Sequence, residues 1–232
     1  MKRWQIRLAQ CVIIVAVPIV LAVLPARVVM QPWIIHFEYG RAGFPPDAFG
    51  MGQAERTRLA LDGLESIAGP RGMEALWEAR FDDGRAAFQE REIEHMLDVR
   101  NVAGQLFALQ AACCVVLLVA AAGLYREREA RPALAGALRS GALVTLVAVV
   151  GSGVFGLVAW NSFFTTFHQI FFSGDSWLFA YTDTLIRLYP IQFWIDVTAL
   201  ICAAIVLEAL VLGAAAWWWQ SAFSFQLSAF RR

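Results

Sequence analysis

Two histidines carry the side chains best suited to proton transfer in this chain. His95 stands in Glu94-His95-Met96-Leu97-Asp98-Val99, and His168 in Phe167-His168-Gln169-Ile170-Phe171-Phe172. Imidazole titrates close enough to neutral pH to take a proton and return it, so both are candidates for general acid–base work. His95 and Asp98 are three residues apart and share a face if the segment is helical. There the carboxylate could accept one imidazole N–H and leave the other ring nitrogen as a base; the alternative is a surface histidine with an incidental acidic neighbour. His168 lies among Phe163, Phe164, Phe167, Phe171 and Phe172. That segment is too apolar for a water-exposed loop, which places it in the membrane interface or dipping into the bilayer against protein, where an ionisable group is a functional candidate by default.

The other reactive side chains offer less. No Ser-His-Asp or Cys-His spacing is evident, although Ser162 and Ser173 near His168 keep a covalent route open. Cys11, Cys113, Cys114 and Cys202 fall in or beside apolar stretches and read as small packing residues. His36, in Trp33-Ile34-Ile35-His36-Phe37, reads as structural, and Asp183 with Arg187 at i, i+4 as a local ion pair.

The elements that must position these residues are membrane helices. The chain is 59% hydrophobic and 16% charged, too apolar for a soluble domain of 232 residues. Four apolar runs, about 8–30, 101–124, 142–160 and 194–219, reach the length that crosses a bilayer. Lipid offers the backbone no partners, so each run is expected as a helix in an all-α, four-span membrane domain covering the whole chain. Lys2, Arg3 and Arg7 precede the first run, Arg126, Arg128, Arg131 and Arg139 occupy the link between the second and third, and Arg231 and Arg232 end the chain. The positive-inside rule places all of these, and both termini, in the cytoplasm. Segments of about 31–100 and 161–193 then face outward, with both histidines. The long one has more acidic residues than arginines and no lysine, giving no sign of nucleic-acid binding. The first run is too long for a typical signal peptide and lacks a small-residue cleavage site, so it is expected to remain.

The long outer segment reads as a small helical cap. Phe44-Pro45-Pro46 and Gly50 form a turn-rich entry, Gln53–Ile67 has helical spacing, and Gly69-Pro70 ends it. Met73–Phe81 reads as a second helix, Asp82-Asp83-Gly84 as a turn, and Arg85–Arg100 as a third helix running into the second span. The segment 161–193 is expected as an interfacial aromatic loop. Trp217-Trp218-Trp219 reads as an aromatic belt at the cytoplasmic face.

These motifs resemble the bacterial lipoprotein intramolecular transacylase (Lit) family. The resemblance rests on Phe164-Thr165-Thr166-Phe167-His168-Gln169-Ile170-Phe171-Phe172, followed by Trp177, Asp183–Pro190 and Phe193, and on His95-Met96-x-Asp98-Val99 before the second span. It implies a reaction on lipid: the sn-2 acyl chain of a diacylglyceryl-cysteine lipoprotein moves to that cysteine's own α-amino group, giving a lyso-form. It implies His95 and His168 as the catalytic pair, with no cofactor and no metal. The partners implied are the diacylated lipoprotein substrate in the outer leaflet and membrane lipid; oligomeric state stays open.

The chemistry suits the residues. The attacking α-amine is largely protonated at neutral pH, and a histidine can take that proton and return one to the departing glycerol oxygen. Nucleophile and ester belong to one molecule, so a cavity that folds them together supplies acceleration by proximity. His168 is favoured as base because its surroundings look the more apolar, with His95, positioned by Asp98, stabilising the oxyanion or assisting the leaving group; the two roles can be exchanged. Gln169, Trp177 and Tyr189 are further candidates for lining the site. Two other classes remain: a b-type haem electron-transfer subunit with histidine axial ligands, and a non-enzymatic assembly or binding protein of the membrane.

Overall fold

The computed structural model describes residues 1–229; Arg231 and Arg232, expected at the cytoplasmic face, lie outside the described residues. The described residues are helical, with one isolated antiparallel bridge between Arg80 and Ala86. In chain order the helices are α1 (Arg3–Val29), α2 (Trp33–Gly40), α3 (Gln53–Ala68), α4 (Glu74–Glu78), α5 (Glu90–Arg126), α6 (Arg131–Val158), α7 (Trp160–Phe171), α8 (Thr184–Leu188) and α9 (Ile191–Ala229). Four stretches are long and apolar enough to cross a membrane: Arg3–Val29, Glu90–Arg126, Arg128–Val158 and Ile191–Ser221. The protein is therefore a multi-pass membrane protein, as the hydropathy requires.

By internal contacts the chain divides into two compact units. The first takes Met1–Pro25, Phe107–Leu157 and the chain from Ile201 onward. Its core gathers Ile13, Val17, Leu124, Ala130, Leu134 and Ala137. Close approach of two helices needs Gly141: a Cβ there would lie 2.8 Å from that of Val17. Gln110 donates to the carbonyl of Val20 at 3.1 Å, giving a polar side chain an in-membrane partner.

The second unit, Ala26–Leu106 and Val158–Leu200, holds all three histidines. Its centre is the short helix α8. A five-residue helix leaves nearly all its backbone groups without internal partners, and here buried side chains supply them. Arg56 donates to the carbonyl of Arg187 at 3.0 and 2.8 Å, and Tyr39 to that of Leu188 at 2.7 Å. At the other end the Leu185 amide donates to Glu92 at 2.8 Å, and the Thr184 hydroxyl to the Ala87 carbonyl at 2.5 Å.

Two expectations are corrected here. Asp183 and Arg187 do not pair: Arg187 donates to both oxygens of Asp47 at 2.9 Å, and Asp183 accepts from Arg91 at 2.7 and 2.6 Å. Partners distant in the chain satisfy both charges, which are too buried to rely on a local surface pair. The aromatic segment after the third span is also not a loop throughout, since Trp160–Phe171 form α7 and take in its first eleven residues. Phe and His at positions 163, 164, 167, 168 and 171 recur with helical spacing, which favours an amphipathic helix. The cap helices come out shorter at 74–78 and start later at 90 than the periodicity suggests, and α2 contains the stretch around His36, which is exposed.

Candidate active site

His95 is placed by the rigid start of α5. Glu92, at the third position of that helix, accepts from the Gln89 amide at 2.8 Å, occupying a donor that the helix start would leave unpaired. Arg100 donates to the carbonyls of Ser66 and Gly69 at 2.7 and 3.2 Å, closing the C-terminal end of α3. Together with the bonds from α8 to this region, Leu185 amide to Glu92 and Thr184 hydroxyl to the Ala87 carbonyl, these fix the turns on either side of His95. The imidazole is 9% exposed, and its rings of contact are Phe172 at 5.0 Å and Phe179 at 5.3 Å between centroids.

His168 sits on the last turn of α7, a helix with no fully buried residue. Its ring lies 4.0 Å from Phe164, 4.8 Å from Trp177, 5.5 Å from Phe167 and 5.7 Å from Phe172. Phe172 thus touches both imidazoles, and the two histidines share one aromatic pocket.

The tautomers are complementary. His168 Nδ1 lies 2.8 Å from the Phe164 carbonyl oxygen, which can only accept, so Nδ1 carries the proton and Nε2 keeps its lone pair. His95 Nδ1 is buried without a hydrogen-bond partner. A buried orphan N–H is rarer than an orphan acceptor, which favours a bare Nδ1 and an N–H at Nε2. One ring then presents an acceptor and the other a donor. Burial, reinforced by the adjacent His168 imidazole and opposed by Asp98, pushes the His95 pKa down to about 4. Burial also holds His168 below the ordinary histidine value, opposed by its bond to Phe164. Both are neutral at pH 7.

Several sequence expectations change here. The more buried imidazole is His95, not His168, because Phe179 and Phe172 both cover it while α7 stays half-exposed. Asp98 is exposed and makes no hydrogen bond to His95; its influence is through charge alone. Trp177 is brought to His168, its indole N–H donating to the Gly174 carbonyl at 3.1 Å. Gln169 is exposed. Tyr189 points into the cap, its hydroxyl 2.7 Å from the Ala60 carbonyl, so it holds α8 to α3. Ser162 is exposed and Ser173 accepts through its carbonyl from Ser176; neither hydroxyl bonds to His168. The sequence reading missed Phe179 and the specific place of Phe172; the latter already stood in the quoted motif. Among the described residues no cluster of three or more His, Cys, Asp and Glu side chains could hold a metal ion.

Comparison with known proteins agrees with this architecture. The family described as lipoprotein intramolecular transacylase Lit matches residues 8–194. A protein of Aquifex aeolicus (strain VF5), described as uncharacterized, is 31% identical over 192 residues, covering 83% of this chain and 85% of that protein. The solved membrane integral lipoprotein intramolecular transacylase Lit from Bacillus cereus superposes with a TM-score of 0.79 at 17% identity, covering 97% of this chain and 100% of that one. A form of the same protein with a histidine replaced by arginine gives 0.73 at 16% identity, over 95% and 94% of the two chains. The match over most of the chain decides among the classes that the histidines left open: this acyltransferase belongs to the lipoprotein intramolecular transacylase family.

Proposed function

We propose that the protein moves the sn-2 acyl chain of a diacylglyceryl-cysteine lipoprotein onto the cysteine's own α-amino group, and that His168 and His95 carry the proton transfers. The observation that supports this most is that one phenyl ring, Phe172, packs against both imidazoles, with His168 Nδ1 on the Phe164 carbonyl.

His168 is the base. Its Nε2 lone pair is available, whereas burial pushes the pKa of His95 down to about 4, too weak a base to compete for an amine proton. As the nitrogen attacks the ester carbonyl, Nε2 takes a proton from it. His95 acts as a neutral donor, its Nε2–H directed at the oxygen that becomes negative. Collapse of the tetrahedral intermediate breaks the bond to the sn-2 oxygen, and the His168 imidazolium returns the proton there. An amide has formed, an ester has been lost and the protein ends unchanged.

The site faces the outer leaflet of the cytoplasmic membrane, with both termini in the cytoplasm. Lys2, Arg3 and Arg7 at the start of α1, and Arg126, Arg128 and Arg131 around the link from α5 to α6, support this orientation. A reporter active only outside the cytoplasm is expected to work near Gly50 or Gly174 and to fail near Arg131; signal at Arg131 would reverse it.

The reaction is tested with purified protein and a synthetic diacylated lipopeptide labelled in its sn-2 chain. The label is expected on the α-nitrogen, and an N-acetylated lipopeptide is expected to be inert. Label appearing on the protein or in free fatty acid alone would contradict the intramolecular route.

A further inference from the structure

The substrate's reacting ester lies in lipid, but the peptide that follows its cysteine must leave toward water. One residue stands where that peptide would pass. Arg91 precedes His95 by one turn on α5, so it lies about 6 Å further from the apolar run that begins near residue 101. Its guanidinium is 5.8 Å from the Phe179 ring, which packs on His95.

Arg91 is held yet not used up. A single nitrogen, Nη2, serves both oxygens of Asp183, and Nε lies 3.3 Å from the Gln89 side-chain oxygen. Nη1 has no partner among the described residues. The Asp183 side chain is 3% exposed and is fixed further by Gln89 Nε2 at 3.1 Å and the Ala180 amide at 2.7 Å. The Arg91 side chain is 49% exposed. The pair with Asp183 thus leaves Nη1 able to take a second acceptor, on a half-exposed side chain whose guanidinium is beside the Phe179 ring that packs on His95.

We propose that Arg91 binds the substrate's peptide, its Nη1 donating to the carbonyl of the residue after the acylated cysteine. That carbonyl lies one residue from the attacking nitrogen, a few ångströms away (3.8 Å between successive Cα atoms), and its path leads away from the membrane. Asp183 is the positioning residue that keeps the fork in place before substrate arrives. The inference rests on the proposed transacylation at His95 and His168 and adds the site that recognises the peptide portion.

The test uses the full chain in detergent and two substrates: a diacylated lipopeptide of four residues, and diacylglyceryl-cysteine methylamide, which lacks the second carbonyl. Arg91→Lys is the variant of choice because it keeps a charge for buried Asp183 while removing the second N–H edge. The expected result is a KM for the lipopeptide raised about tenfold or more with kcat little changed, and no difference from wild type on the methylamide. Equal losses on both substrates, or none on either, would overturn the inference while leaving the transacylation standing. A wild-type protein that converts neither substrate would overturn both. Should Arg91→Lys accumulate poorly, the wild-type KM ratio between the methylamide and the lipopeptide decides: a methylamide KM at least about tenfold higher supports the inference, and equal values refute it.

Discussion

The phenyl ring of Phe172 lies 5.0 Å from the imidazole of His95, centroid to centroid. The same ring lies 5.7 Å from His168, so one side chain covers both imidazoles. Replacing it with alanine readmits water, and the desolvation that holds both pKa values down is relieved. Phe172→Ala is expected to move the acid limb of the rate profile upward, toward the ordinary histidine value; an unmoved limb would show that Phe172 does not set the hydration of the pair.

The wild-type pH dependence follows from the same burial. Both imidazoles have folded pKa values below their ordinary 6.5, so the neutral forms persist below that pH, and the rate divided by the neutral fraction of the substrate's α-amine, which titrates at about 7.7–8.0, is expected to hold as pH falls through it. Stability behaves differently. The unfolded chain binds protons that folded His95 refuses, so the contribution of His95 makes the fold lose stability as pH falls from 6.5 to about 4. Rates and thermal unfolding followed over this range are expected to separate, with stability declining before activity does. An acid limb above 6.5 in the rate so corrected would contradict the assignment.

Asp98 is exposed and shares no hydrogen bond with His95. Asp98→Asn is expected to change the rate by no more than a few-fold, because an exposed charge acts weakly through water. A loss near 10²-fold would mean that Asp98 fixes the His95 tautomer when substrate is bound.

Tyr189 gives the converse case. Its hydroxyl bonds to the Ala60 carbonyl at 2.7 Å, and a Cβ on Gly63 would meet that oxygen at 2.4 Å. Tyr189→Phe is expected to cost about 0.5–1.5 kcal/mol by removing one buried hydrogen bond to a carbonyl that also serves the α3 ladder, and Gly63→Ala about 1–3 kcal/mol by overpacking. Both would show as lower thermal midpoints with turnover retained at low temperature. Loss of turnover without loss of stability would return Tyr189 to the catalytic pocket.

The spans and the main cap helix were legible because hydropathy and helical periodicity are local signals. The side-by-side placement of His95 and His168 came from motif resemblance, since no local pattern joins residues 73 positions apart. The errors share a cause. Asp183 and Arg187 looked like partners at i, i+4, yet Arg91 and Asp47 reach them from segments about 90 and 140 residues away. Tyr189 looked like a residue that lines the site, but its direction is set by the Ala60 carbonyl. Counting nearby phenylalanines made His168 look the more buried; His95 receives its cover from Phe172 and Phe179, remote in sequence and close in space.

The central claim is that His168 is the base for transfer within one lipoprotein. Cells otherwise lacking this activity, expressing wild-type or His168→Asn protein at equal levels, provide the direct test through mass spectrometry of a lipoprotein's N-terminal peptide. Wild type is expected to give the N-acyl, S-monoacylglyceryl form, with the variant lower by about 10²-fold or more, and a His95→Asn, His168→Asn double variant little worse than the poorer single one. Near-normal lyso-form in His168→Asn would contradict the account.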